Sequence, residues 1–132
     1  MRIEDQGDVF SAEFVNEHNG LVNISIGVSS RGFSGHNEQV GFWLNDLEDF
    51  LADLTTLERV RQGKAILESL NKLPEHRELR LECFSLDKLG HMGLDIELLR
   101  IRYVGNQYRP YKVSLAFEID PGYLPYLVSE FS

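Results

Sequence analysis

Cysteine, long apolar stretches and recognisable catalytic motifs are all scarce or missing in this sequence of 132 residues. Its one cysteine, Cys83, cannot form a disulfide within the chain. No apolar stretch reaches membrane-spanning length, and the polar start at residues 1–8 lacks the apolar core of a signal peptide. We therefore expect a cytoplasmic protein that does not associate with membranes.

Basic residues are also scarce, since 13 Lys and Arg oppose 21 Asp and Glu and give a formal net charge of −8. Such a field repels phosphate backbones, so nucleic acid is not an expected partner. A basic protein would be attracted instead. The alternative is that the charge only keeps the domain soluble.

Motifs that would indicate an enzyme are missing: the sequence has no nucleophile elbow, phosphate-binding glycine loop or dinucleotide fingerprint. Of the 4 histidines, His36 and His91 lie in glycine-flanked segments, where the backbone can approach a ligand closely. With Glu38 they are the candidate ligand-binding residues of an enzyme or small-ligand protein. No His or Cys pair has a zinc-ligand spacing, so neither a metal nor another cofactor is expected.

Apolar residues at helical spacing fill residues 45–58, and this is the clearest pattern in the chain. Asn45 stands at an N-cap position. The pattern predicts one main amphipathic helix whose apolar face packs against a sheet. That face comprises Leu47, Phe50, Leu51, Leu54 and Leu57.

Alternating apolar residues predict strands on both sides of that helix. Residues 21–29 place four aliphatic side chains on one face, and Asn19-Gly20 before them predicts a hairpin turn. A change of parity at Leu98-Leu99 predicts a β-bulge. Residues 111–119 alternate most clearly and are predicted to form a central strand.

The C-terminal residues predict a short helix over about 123–131, because Pro125 fits its first turn and apolar residues recur at helical spacing. The elements together predict a single α+β domain over residues 1–132. Its core would be one twisted antiparallel sheet of about six to seven strands, packed by the main helix and the short one. The apolar residues of the short helix are Leu124, Leu127, Val128 and Phe131.

The outward face of the main helix carries a run of acidic residues. A rigid element that presents several carboxylates is a plausible docking surface for a basic partner, whereas a solvated helix face is the alternative. Trp43, just before the helix, is expected to cover the edge of the core. The acidic residues are Asp46, Glu48, Asp49, Asp53 and Glu58.

Several segments spread over most of the chain are similar to those of one bacterial family. They are Gly32-Phe33-Ser34-Gly35 with Val40 to Trp43, Leu47 to Leu54, Leu89 to Leu94, and Val113 to Asp120 with Leu124 to Phe131. In these segments the chain resembles the WapI-like immunity proteins of bacterial polymorphic-toxin systems and related small bacterial domains. The resemblance implies a cytosolic inhibitor that binds a cognate toxin, with no cofactor and no catalytic residues.

Three functional hypotheses follow from the sequence. The first is an immunity-type protein that neutralises a toxin through the acidic helix face. The second is a small-ligand protein or enzyme that uses His36, Glu38 and His91. The third is a structural subunit, such as a homodimer, that self-associates through a free strand edge.

Overall fold

The structure, a computed structural model, describes residues 1–87 and 89–131, without the side chains of residues 127, 128 and 131. Ten strands and two helices lie in this part of the chain. The strands before the main helix are β1 (Arg2–Asp5), β2 (Asp8–His18), β3 (Leu21–Ser30) and β4 (Phe33–Trp43). The main helix is α1 (Leu44–Val60). It is followed by β5 (Lys64–Glu68), β6 (Leu79–Ser85), β7 (Met92–Arg100), β8 (Tyr103–Val104), β9 (Gln107–Tyr108), β10 (Tyr111–Ile119) and α2 (Tyr123–Phe131).

The predicted α+β class and the antiparallel pairing are confirmed, but the predicted single sheet is wrong. The described strands form sheets of four, four and two strands, in the orders β1-β2-β3-β4, β10-β7-β6-β5 and β8-β9. The division follows from α1, which carries the chain away from β4 before β5 begins. Consecutive strands on each side of α1 then pair as hairpins, and β10 pairs with β7 across the small β8–β9 ribbon.

Both four-stranded sheets and both helices contribute to one hydrophobic cluster. The apolar face predicted for α1 is confirmed, because Leu47, Phe50, Leu54 and Leu57 are buried in it. The predicted alternation in β3 is confirmed as well, since its four aliphatic side chains are buried. In α2 only Leu124 of the predicted apolar set has a described side chain, and it is fully buried.

The strand predicted to be central, β10, instead forms an edge of the second sheet. Its inner-face side chains are buried only towards its C-terminal end, at Phe117 and Ile119, while Tyr111 is exposed. Alternation of apolar and polar residues indicates a strand with one buried face. It does not indicate whether that strand has a neighbouring strand on one side or on both.

The predicted bulge at Leu98-Leu99 is also wrong, because β7 pairs with β10 residue for residue from Met92 to Arg100. Both leucines are buried, but they lie on opposite faces of a regular strand, and only Leu98 belongs to the main cluster. The bulges occur elsewhere, in β2 between Phe14 and Asn16 and in β4 opposite Ser25. Burial on both faces at these two residues therefore produced the same change of parity as a bulge.

The start of α1 differs from the prediction, which placed the N-cap at Asn45, two residues after the observed position. Trp43, in an extended conformation, is the N-cap, and no side chain caps the helix. Instead the Leu44 N–H donates to the Gly20 carbonyl at 2.8 Å, so the β2–β3 turn holds the helix start. The turn itself is the predicted one, with positive φ at Asn19 and Gly20. No helix in the described residues is long and apolar enough to cross a membrane.

A candidate binding cavity at the open end of the first sheet

The acidic residues predicted to form one docking face lie on different sides of α1. Glu48, Asp49 and Asp53 are exposed, whereas Asp46 and Glu58 are half-buried. At about 100° per residue, Asp46, Asp49 and Asp53 form one row, and Glu58 lies about half a turn around the axis from Asp49. Asp46 is also bound by the Lys72 ammonium at 2.8 Å.

The alternative ligand-binding residues are not brought together. His36 lies on the exposed face of the first sheet, where its Nε2 is 3.0 Å from the Ser25 hydroxyl. His91 lies in the β6–β7 turn, where its Nδ1 is 2.6 Å from a carboxylate oxygen of Asp87. Glu38 is exposed in the bulge of β4. No described cavity is lined by both histidines.

The histidine environments have distinct electrostatic consequences. The hydrogen bond to Asp87 raises the pKa of His91 and, in return, lowers the pKa of the Asp87 carboxyl. Ser25 and His36 have the contact of a nucleophile and its base, but no described carboxylate hydrogen-bonds to His36. Among the described residues, no cluster of three or more His, Cys, Asp or Glu side chains is placed to hold a metal ion.

The one thiol of the chain is placed where it cannot act as a nucleophile. Cys83 is fully buried in β6, and burial raises its pKa to about 12. The reactive form of a cysteine is the thiolate, which this site strongly disfavours. Cysteine chemistry is therefore not a function of this domain at neutral pH.

The largest described cavity, of about 460 Å³, opens where β2, β3 and β4 meet the N-terminal end of α1. The sequence analysis assigned no function to this region. Its floor is apolar and combines core residues of the first sheet with the first turn of α1. The apolar lining residues are Met1, Ala12, Phe14, Val22, Ile24, Phe42, Leu44 and Leu47.

A bulge in β2 accounts for this opening. Two residues after Phe14, the pairing with β3 has shifted by one residue, which turns the end of β2 relative to its neighbours. Phe14 lies on the same strand face as the buried Phe10 and Ala12, yet 68% of its surface is exposed. The Phe14 ring, on the core-facing side of the sheet, therefore faces the cavity and is not covered by neighbouring side chains.

The cavity also borders an unpaired strand edge. β1 pairs with β2 only as far as Ser11, and Met1 then exchanges backbone hydrogen bonds with Ala12. Beyond Ala12, β2 pairs only with β3 in the described structure. Since outward-facing backbone groups alternate along an antiparallel strand, the next N–H and C=O at this edge are those of Phe14.

Three acidic residues, Glu13, Glu17 and Glu130, lie in the cavity lining. Glu13 pairs with Ser25, which places its side chain on the exposed face of the sheet, so Glu17 and Glu130 supply the carboxylates beside the apolar floor. All three side chains are exposed, and none forms an ion pair with a described residue. Glu17 accepts a hydrogen bond from the Gly20 N–H at 3.1 Å, which orients it. The Met1 ammonium is the one cationic group in the lining, and it donates to the Ala12 carbonyl. The cavity therefore combines apolar surface with negative charge.

Trp43, predicted to cover the core, is 50% exposed beside this region. It is paired with Leu21 at the end of β4, one residue before Leu44 in the cavity wall. A signal for the cavity is present in the sequence, because the alternation of residues 8–14 fails at Val15-Asn16-Glu17. That failure indicates a bulge but not what the bulge exposes.

Comparison of the chain with protein-family models, curated proteins and solved structures finds no match.

Proposed function

We propose that this protein is a non-enzymatic binding domain of the immunity-protein type, which holds a basic and partly apolar segment of a partner protein in the acid-lined cavity. The partner would be a toxin, as the sequence resemblance implies, and the complex would form in the cytoplasm. The observation that carries the proposal is the combination of an apolar floor, an exposed Phe14 and two carboxylates without ion pairs, Glu17 and Glu130, in one opening.

The apolar floor explains affinity. Covering exposed apolar surface contributes about 25 cal/mol per Å², and aromatic residues are enriched among those that dominate binding energy. Phe14 is exposed on the inner face of the sheet, so a partner side chain placed against it would continue the core already formed by Val22 and Ile24.

The carboxylates explain selectivity. A partner that fills the cavity with apolar groups alone would leave Glu17 and Glu130 partly desolvated and unpaired, which is costly. A Lys or Arg beside those apolar groups would pair with them. Leu44 and Leu47 also join the cavity to α1, whose exposed Glu48, Asp49 and Asp53 add negative potential along the approach.

The unpaired edge of β2 indicates how the segment would lie. An extended chain can add to a free edge through main-chain hydrogen bonds, while alternate side chains enter neighbouring pockets. The Phe14 N–H and C=O face that edge directly beside the cavity. Glu17, at the end of this edge, and Glu130 supply the negative charge beside it, which suits a segment that combines basic and apolar residues.

Three synthetic peptides of equal length and equal apolar content would test the proposal, with Lys, Gln or Glu at their alternate positions. Each peptide is titrated into the protein while the fluorescence of the protein is followed. Only the Lys peptide should bind, and its affinity should fall as the salt concentration is raised. The double variant Glu17→Gln/Glu130→Gln should weaken that binding by about tenfold, since two partly exposed pairs contribute about 0.5–1 kcal/mol each.

The matched control is Glu118→Gln, which neutralises an exposed carboxylate on the edge strand of the other sheet. It should leave the affinity within about twofold of the original. Equal binding of the Lys and Glu peptides, or equal losses in the control and the cavity variant, would remove the cavity from the account.

A small amphipathic cation is the second candidate occupant, because a volume of about 460 Å³ lies in the range of small-molecule sites. A fluorescent apolar amine distinguishes the two. Binding of the amine that peptides cannot displace would favour a small ligand, and displacement by the Lys peptide would favour a protein partner.

A further inference from the structure

Basic residues are concentrated at one corner of this acidic protein. The stretch from residue 98 to residue 117 contains no Asp or Glu but holds 4 of the 13 basic residues of the chain. They are Arg100, Arg102, Arg109 and Lys112. We call this stretch, which includes the β8–β9 ribbon, the basic corner.

The cations of the basic corner are not used in ion pairs with described carboxylates. Arg77 differs, because it binds both Glu68 and Glu97 at 2.8 Å. Arg102 and Arg109 donate instead to backbone carbonyls and to the Gln107 amide, contacts that leave their positive charges unneutralised. Arg100 pairs with Tyr111, and the Arg102 guanidinium lies over the Tyr111 ring, so these two cations share one face, whereas Lys112 pairs with Leu99 on the other face. In a chain with an excess of acids, cations without ion pairs on one face indicate an anionic partner.

Exposed apolar and aromatic side chains accompany these charges. Tyr103 is 60% and Tyr111 is 59% exposed, and Ile101 and Val104 are exposed beside them. The Arg102 guanidinium lies 4.1 Å from the centre of the Tyr111 ring, a cation–π contact. Tyr and Arg are the residue types most often found at the centres of protein interfaces.

The basic corner is held in place by its own contacts. The Tyr108 hydroxyl donates to the Glu75 carbonyl at 2.6 Å, and its ring lies 4.8 Å from that of His76. Tyr103 packs on Tyr108 at 5.4 Å between ring centres. A surface fixed in this way loses little conformational entropy on binding.

We propose that the basic corner is a second docking surface, which binds an acidic segment of a protein partner. A protein segment fits better than a nucleic acid because the exposed aliphatic side chains of Ile101 and Val104 accompany the cations and would pack against apolar residues of a peptide. The net charge of −8 further opposes a phosphate chain. This surface is independent of the acid-lined cavity, which selects the opposite charge.

Arg100→Gln is the variant that tests this surface, because its side chain shares the face of Tyr111 and makes no described hydrogen bond or ion pair whose loss would disturb the fold. Arg59→Gln is the matched control, since it removes one exposed cation elsewhere and changes the net charge equally. Unchanged urea midpoints for both variants establish that any binding difference is local.

Selection of a random peptide library on the wild-type protein should enrich sequences that combine Asp or Glu with apolar residues. Synthetic copies should bind about fivefold more weakly to Arg100→Gln, and within about twofold of wild type to the control. Their affinity should be unchanged in Glu17→Gln/Glu130→Gln, which separates this surface from the cavity.

Three results would overturn the proposal. The selection could enrich no acidic sequences, the two cation variants could bind an enriched acidic peptide equally, or single-stranded oligo-dT could bind the basic corner more tightly than any acidic peptide. The last result would show a nucleic-acid surface instead. Loss of basic-peptide binding at the cavity would leave this proposal standing, and the reverse also holds.

Discussion

Gly35→Ala tests how the two four-stranded sheets meet. Gly35 lies opposite the buried Val28 in the first sheet, and a Cβ added there would overlap Cγ1 of Val113 in β10 of the second sheet. Val113 is half-buried against the core, and its branched side chain has little freedom to move aside. The structure therefore requires a residue without a side chain at position 35.

The cost of this substitution follows from two opposing terms. Overpacking a core by a methyl group costs about 1–3 kcal/mol, while replacing glycine in a strand recovers about 0.5–1 kcal/mol of backbone entropy. We expect Gly35→Ala to lower the free energy of unfolding by about 1–2 kcal/mol. For a domain of this size the midpoint of thermal unfolding would fall by about 3–5 °C per kcal/mol.

A double-mutant cycle with Val113→Ala isolates the contact. Val113→Ala alone should cost about 0.5–1.5 kcal/mol, because its two methyl carbons are only partly buried. In the double variant the new methyl group at position 35 occupies the space that Val113 vacates, so the combined cost should be smaller than the sum by about 1 kcal/mol. Urea unfolding followed by circular dichroism measures all four proteins. Additive costs, or a Gly35→Ala protein as stable as wild type, would show that the sheets do not touch here.

Three further predictions concern single side chains. Cys83 should react with a thiol reagent only after unfolding, and modification of the native protein would contradict its burial. Because burial raises the pKa of Cys83 to about 12, the stability that it contributes should fall as the pH rises from about 9 towards that value. Asp87→Asn should lower the NMR titration midpoint of His91, since the lost hydrogen bond is what raises the pKa of His91. The pair of Asp87 and His91 stabilises the turn at pH values between the lowered pKa of Asp87 and the raised pKa of His91. An unchanged midpoint would refute the contact. Asn37→Asp should cost about 1–3 kcal/mol at neutral pH and less in acid, because the buried amide donates to the Leu99 carbonyl at 3.1 Å and a carboxylate cannot; equal stability at neutral pH would contradict that bond.

Local patterns in the sequence predicted the elements well. The apolar face of α1 depends only on spacing within one helix, and the β2–β3 turn depends on two adjacent residues that tolerate positive φ. The bounds of the short helix, Tyr123–Phe131, follow from Pro125 and its apolar neighbours. Such features are fixed by contacts between residues close in the chain.

Pairing between distant residues was not predictable in the same way. The division into separate sheets depends on where α1 returns the chain, and the edge position of β10 depends on having no strand beyond it. Leu98 and Leu99 show why parity misled, because Leu99 is buried on the strand face that also carries the half-buried Asp95 and Glu97. The periodicity of apolar residues predicts which side chains are buried. The order of the strands decides which element covers them.

The candidate site was missed for a related reason. The sequence analysis weighted charge on a helix, but charge alone does not separate a solvated face from a binding surface. The cavity instead depends on Phe14, whose apolar pattern predicted burial and whose position after the last β1 contact leaves it open. Lys72 likewise neutralises Asp46 from a segment 26 residues away, which no local pattern indicates.

The most direct test of the account is a map of amide chemical shifts during titration with the Lys peptide. We predict that the largest changes occur at Phe14, Val22 and Leu47 around the cavity, and that Glu17→Gln/Glu130→Gln reduces them together. Changes confined to Asp49 and Asp53 on the outer side of α1, or changes that the cavity variant leaves intact, would contradict the claim that the acid-lined cavity is the binding site.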